Sequence, residues 1–180
     1  MDVGGYLGRS LNLTMKYPVP IIVGALVAGA VGAATLGILA APAYAGVAML
    51  YVAAAAGREP EVGRVFAYLN RTGRLFGAAF VMAVLTGIGF CLLIVPGLLM
   101  LAWWSYVPLL IADRGLGIGE AMRRSREMVR ADGVGAHLVF LLVLAVIGSL
   151  GGALAGIGLL LSMPVAGGAL ALAYADRRDR

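Results

Sequence analysis

Residues 75–112 read LFGAAFVMAVLTGIGFCLLIVPGLLMLAWWSYVPLLIA, 38 residues without one Asp, Glu, Lys or Arg. A helix rises about 1.5 Å per residue and the hydrocarbon core of a bilayer is about 30 Å thick, so about 20 apolar residues cross it. One straight helix through this stretch would be about twice too long. Two short spans joined by a tight turn fit it, and Gly87, Gly89, Pro96 and Gly97 mark where the turn is expected. Glycine and proline also occur inside membrane helices, so length makes the turn necessary and the residues suggest only its place.

Two more stretches have the same character. Residues 17–57 and 138–175 hold 41 and 38 residues and no charge. Gly37 and Pro42 interrupt the first; Gly148, Gly151, Gly152, Gly156, Gly158 and Pro164 interrupt the second. The predicted fold is therefore an all-α integral membrane protein, one polytopic domain over 1–180. It has about six short transmembrane helices in three hairpins, at about 17–57, 75–112 and 138–175. Between the hairpins lie cytoplasmic amphipathic segments at about 1–16, 58–74 and 113–137.

Composition supports that class. The 180 residues are 62% hydrophobic and 13% charged, with mean hydropathy +0.97, where a soluble domain carries about 25% charged residues. Net charge is +5. The basic residues flank apolar runs and no nucleic-acid motif accompanies them, so anionic lipid headgroups, not nucleic acid, are the expected partner. Arg9 and Lys16 precede the first block, Arg58, Arg64, Arg71 and Arg74 fill the first gap, and Arg114, Arg123, Arg124, Arg126 and Arg130 fill the second. Arg177, Arg178 and Arg180 end the chain. If each block is a hairpin, all 14 basic residues share one side, and the positive-inside rule puts both termini in the cytoplasm. Three spans would scatter these charges over both sides. The arginine-rich, Ala-, Gly- and Val-rich composition (Lys16 is the only lysine) points to a bacterial inner membrane.

The second gap carries a helical stripe. Ile118, Ala121, Met122, Ser125, Met128 and Val129 fall on one face, with Glu120, Arg123, Arg124, Arg126, Glu127 and Arg130 on the other. Such a helix suits either the interface plane, where Arg123, Arg124, Arg126 and Arg130 would meet headgroups, or packing on the bundle. Val62, Val65, Phe66, Leu69 and Gly73 form a similar stripe, and so do Val3, Tyr6, Leu7 and Leu11. Ala43-Tyr44-Ala45 imitates a signal cleavage site, but the preceding apolar run exceeds the 7 to 15 residues typical of a signal's core, so the segment is expected to be retained.

A loose repeat links the blocks: Gly37 to Pro42 to Tyr51, Gly89 to Pro96 to Tyr106, and Gly158 to Pro164 to Tyr174. Each tyrosine is expected near the interface. Gly148, Gly152 and Gly156 form a row of small residues suited to close helix packing, within one protomer or between copies, as do Gly24, Ala28 and Gly32. Trp103 and Trp104 sit well inside their block and either pack the bundle or line a lipid-sized groove.

Leu93 to Gly97, Trp103 to Pro108, and Asp113 to Gly117 followed by Glu120 to Ser125 resemble the membrane domain that precedes some glycerophosphodiester phosphodiesterases, and related bacterial integral membrane proteins. The likeness runs from about Tyr44 to Tyr174. It implies a multi-helix membrane domain; the phosphodiesterase chemistry belongs to a separate soluble domain that these residues do not contain.

Catalytic chemistry is sparse. One histidine, His137, and one cysteine, Cys91, allow neither a metal pair nor a disulfide between them. His137 is expected at a helix start by the interface and Cys91 as a small hydrophobe near a turn. No nucleophile stands with an evident base, so no enzyme activity, cofactor or metal is expected. With no charge in any apolar block, proton-coupled transport is disfavoured. The expected function is non-enzymatic organisation or sensing of lipid, alone or as a homo-oligomer. The alternative is a channel or carrier for a small or amphipathic solute, lined by hydroxyls such as Thr35, Thr86, Ser105, Ser149 and Ser162.

Single cysteines placed in 58–74 and in 113–133, in a Cys91→Ala background, are expected to react with a membrane-impermeant maleimide from one side only. Labelling of the two segments from opposite sides would overturn the hairpin arrangement.

Overall fold

Without water to satisfy backbone amides, an apolar block in a bilayer satisfies them internally by forming helix. The computed structural model, which describes residues 2–35, 39–153 and 159–178, is 86% helix and has no strand among those residues. Helix α1 spans Val3–Lys16, and the Asp2 side chain caps it by accepting from the Gly5 amide at 2.8 Å. A π-helical turn, Val19–Val23, leads into α2, Gly24–Ala34. Helix α3 spans Ala40–Ala55, and two short 3-10 turns, Val62–Phe66 and Leu69–Arg71, precede α4, Thr72–Leu92. Then follow α5, Ile94–Trp103; α6, Val107–Arg114; α7, Ile118–Asp132; α8, Val134–Ala153; and α9, Leu159–Ala175.

Two sharp bends have local causes. Pro18 and Pro20 lack amide donors between α1 and α2, and the pair is bent by 101°. Gly133, at φ +84°, ends α7 in a conformation that other residues rarely adopt, and α7 meets α8 at 101°. Each bend sets an amphipathic helix nearly at right angles to an apolar one.

Each apolar block folds back on itself, α2 on α3, α4 on α5 and α8 on α9, while α1 crosses α9. The core gathers residues of α3, α6 and α9, including Tyr51, Leu109, Ile111, Ala171 and Tyr174. The hairpin of α4 and α5 is different. Phe76, Phe80, Val84 and Ile88, four apart along α4, are all exposed, and the tip, Leu92 to Val95, is 65–71% exposed. An apolar surface of this extent is foreign to a soluble monomer. Among the described residues, two helical stretches, Val62–Leu92 and Ile94–Arg114, are long and apolar enough to cross a membrane, and up to four are if each bent pair makes one span.

Several expectations change. The second turn is made by Leu93 alone, in extended conformation, rather than by glycine or proline. Gly89 instead lets the hairpin close: a Cβ there would lie 3.1 Å from the Gly97 Cα. Pro42 and Pro96 sit in the first turns of α3 and α5, where a missing amide costs nothing, and Pro164 lies inside α9. Gly37, Gly156 and Gly158 lie outside the described residues. The first gap forms two short 3-10 turns, not an α-helix, in keeping with the weak helix formers Pro60, Gly63 and Asn70. On α1 the buried positions are Ser10 and Thr14, while Leu11 is exposed.

Gly46 is the tightest backbone approach between α3 and the following turn, since a Cβ there would stand 2.3 Å from the Val65 carbonyl oxygen. Gly46→Ala is expected to destabilise the fold by about 1–3 kcal/mol. Gly63→Ala, with nothing within 4 Å, should change it by less than about 0.5 kcal/mol. Thermal unfolding in detergent micelles compares the two.

Candidate functional site

The charged segments hold one another. Arg9 pairs with Asp176 at 2.8 Å, joining the two terminal segments, and Arg178 pairs with Asp113 at 3.2 Å. Arg71 donates to the carbonyls of Ile111 and Ala112, at 2.8 and 2.5 Å, and Arg74 to that of Gly115 at 2.7 Å. These arginines from the first gap cap the C-terminal end of α6, which Gly115 closes at φ +68°. Arg177, largely buried, pairs with Asp132 and donates to the Tyr6 hydroxyl at 2.9 Å and the Ala173 carbonyl at 2.7 Å. Burial weakens the hold of Arg177 on its proton, but the neighbouring Tyr106, Asp132 and Tyr6 outweigh it and raise its pKa. All four charged segments thus meet at one end of the helices.

The three repeat tyrosines are fully buried, and two of them, Tyr106 and Tyr174, lie against each other. Tyr51 bonds the Thr14 hydroxyl at 2.7 Å, and Tyr174 donates to Asp113 at 2.8 Å. The Tyr106 ring lies 5.1 Å from His137 and 6.1 Å from Tyr174. His137, in the first turn of α8 as expected of a helix start, is likewise buried, and its Nε2 is 2.8 Å from the Ser105 hydroxyl. That serine also donates to the Ala102 carbonyl, and the His137 Nδ1 has no hydrogen-bond partner. Among the described residues, no carboxylate hydrogen-bonds the imidazole to complete a triad with this pair. Cys91 is exposed in the last turn of α4. No group of three His, Cys, Asp or Glu suited to a metal ion occurs among the described residues.

Helix α7 packs its apolar stripe inward, with Ala121, Ser125, Met128 and Val129 buried. Ser125 donates to the Trp103 carbonyl at 2.6 Å and accepts from the Tyr106 amide at 3.2 Å, bracing the break between α5 and α6. The four arginines proposed for headgroups divide in two. Arg126 stacks over the Trp103 ring at 4.3 Å and Arg130 lies 5.7 Å from it. Arg123 and Arg124 share Glu127, at 3.0 and 3.6 Å. Trp103 is therefore a platform for α7.

An apolar cavity of about 640 Å³ lies elsewhere, between α2, α3, α8 and α9. Ala28, Gly29, Gly32, Tyr44, Gly148 and Gly167 are among its walls, and no charged residue is. Gly148 was expected at a close helix contact; among the described residues a Cβ there would meet nothing within 4 Å. Gly152 lies in α8 beside it, and Gly156 falls outside the described residues.

Sequence reasoning missed the buried polar cluster. The three tyrosines were visible in the repeat, and Ser10 and Thr14 at i, i+4 spacing were the remaining signal. Set against family models, curated proteins and solved structures, the chain matches none of them.

Replacing Arg126 and Arg130 together with Gln should uncover Trp103, shift its fluorescence, and lower stability by about 1–2 kcal/mol, as expected for two cation–π contacts. Arg123→Gln with Arg124→Gln, which removes only surface pairs, should stay within about 0.5 kcal/mol. Equal effects of the two double substitutions in thermal unfolding would refute the division.

Proposed function

We propose that this chain is a non-enzymatic protein of the bacterial inner membrane that organises or senses lipid, alone or as an oligomer, by taking a hydrocarbon chain between its first and third hairpins. The supporting observation is the cavity of about 640 Å³ walled by small apolar residues. Its volume falls in the range of about 300–1,000 Å³ of ordinary ligand sites. With no charged group in the walls, a hydrated solute would lose its water there without replacement, whereas a hydrocarbon chain would lose nothing. That contrast favours lipid over the alternative of a channel or carrier.

The remaining features fit the same reading. About six short spans in three hairpins, with both termini in the cytoplasm, put every arginine-bearing segment at one headgroup layer. If α2 and α8 run along the bilayer normal, the 101° bends lay α1 and α7 in the surface plane. The exposed stripe from Phe76 to Ile88 then faces acyl chains.

Gly29 and Gly148 line the cavity, and a Cβ at either meets nothing within 4 Å. Gly29→Leu with Gly148→Leu should fill the cavity without disturbing the fold. Released from anionic nanodiscs into native mass spectrometry, the wild type is expected to carry at least one more lipid than this variant. Identical lipid occupancy at unchanged thermal stability would remove the proposed function.

A further inference from the structure

At the charged end a second recess, of about 120 Å³, opens where α3 finishes. That volume is well above the roughly 10–15 Å³ one water needs and well below a drug-sized site, so it suits a small polyatomic ion. Its floor is apolar, formed by Met49 and Val52. Gly57, at φ +73°, turns the chain, and the Arg58 amide donates to the Ala53 carbonyl at 3.0 Å, which brings Arg58 back over the end of α3.

Among the described residues, Arg58, Arg64 and Arg178 line the recess together with one carboxylate, that of Asp113. Asp113 already accepts from Tyr174 at 2.8 Å and from Arg178 at 3.2 Å. Arg64 touches only Glu61, at 3.5 Å, with both side chains more than half exposed; such a pair is worth little. Arg58 makes no ion pair among the described residues. Tyr68 also lines the recess, and burial, with Asp113 second, raises the pKa of its hydroxyl, which therefore stays a donor at neutral pH. Two arginines and one tyrosine thus line a space whose one carboxylate among the described residues is already paired. Planar guanidinium groups match phosphate oxygens two at a time.

We infer that this recess binds the phosphate group of a phosphate ester, with Arg58 and Arg64 as charge-assisted donors and Tyr68 as the third donor, while the Arg178–Asp113 pair holds the wall. The phosphate can arrive on a lipid headgroup or free in the cytoplasm. The first source rests on the lipid reading above; the second does not.

The test uses the full chain in uncharged detergent, titrated calorimetrically with inorganic phosphate and with short-chain phosphatidylglycerol below its micelle concentration. Short-chain phosphatidylcholine serves as comparator. At least one of the two anionic probes is expected to bind the wild type. Binding should weaken tenfold or more in Arg58→Gln with Arg64→Gln, and several-fold in Tyr68→Phe. It should persist in Arg123→Gln with Arg124→Gln, which carries the same loss of charge on α7. Binding of phosphate alone assigns the free anion; binding of phosphatidylglycerol but not phosphate assigns the headgroup. Either result supports the site. The proposal is overturned if neither probe binds the wild type, or if the two double variants lose binding equally. Gly29→Leu with Gly148→Leu should keep binding here, so failure of the hydrocarbon cavity and failure of this site are read separately.

Discussion

No Asp, Glu, Lys or Arg occurs within residues 17–57, 75–112 or 138–175, and every other feature of the structure answers to that exclusion. Charge confined to short segments between long uncharged ones must collect wherever those segments collect. Here they collect at one end, and they are bound to one another rather than merely adjacent. Arg177 with Asp132, Arg178 with Asp113 and Arg9 with Asp176 tie the C-terminal segment to the second gap and to α1. Partly buried ion pairs add little net stability over an apolar replacement, but losing one partner strands the other at about 3–5 kcal/mol. Their value here is in register: they allow α1, α6, α7 and α9 to meet in one arrangement.

The buried tyrosines extend that logic into the helices. A phenol brings a large apolar surface and one hydrogen bond, which suits a layer lying between charged and wholly apolar material. Tyr51, Tyr106 and Tyr174 occupy that layer, with Thr14, His137 and Asp113 as their neighbours. Below them the α4 and α5 hairpin holds itself together through glycines, Gly89 against Gly97, and offers bulky side chains outward.

Helical class, the three self-folding blocks and the amphipathic helices over Val3–Lys16 and Ile118–Asp132 were legible, because exclusion of charge and 3.6-residue periodicity are properties of the string itself. The turn at Leu93 was not, since an extended leucine among leucines carries no mark of its own. Nor was the use of Arg126 and Arg130, because stacking on Trp103 requires that the break after α5 bring residues 103 and 126 together. Trp103 and Trp104 suggested a groove by size alone. The cavity instead formed where residues are small, at Gly29, Gly32 and Gly148, since volume is left by what side chains lack. The arginines at 58 and 64 looked like ordinary flanking charges until Gly57 turned them over the end of α3.

The two ends of the molecule consequently differ in what completes them. At the charged end the ion pairs of Arg9, Arg177 and Arg178 are made within the chain, whereas Arg58 at the recess makes none among the described residues. Between α2, α3, α8 and α9, the described residues, many of them small, line an apolar space. A protein interior normally fills such space, because an empty cavity forfeits the contacts of every atom lining it. Inside a bilayer the surrounding lipid can restore those contacts at no cost in dehydration. On the proposed reading, a charged recess and an apolar cavity in one molecule repeat the division between headgroup and hydrocarbon, and a lipid has the chemistry to complete both.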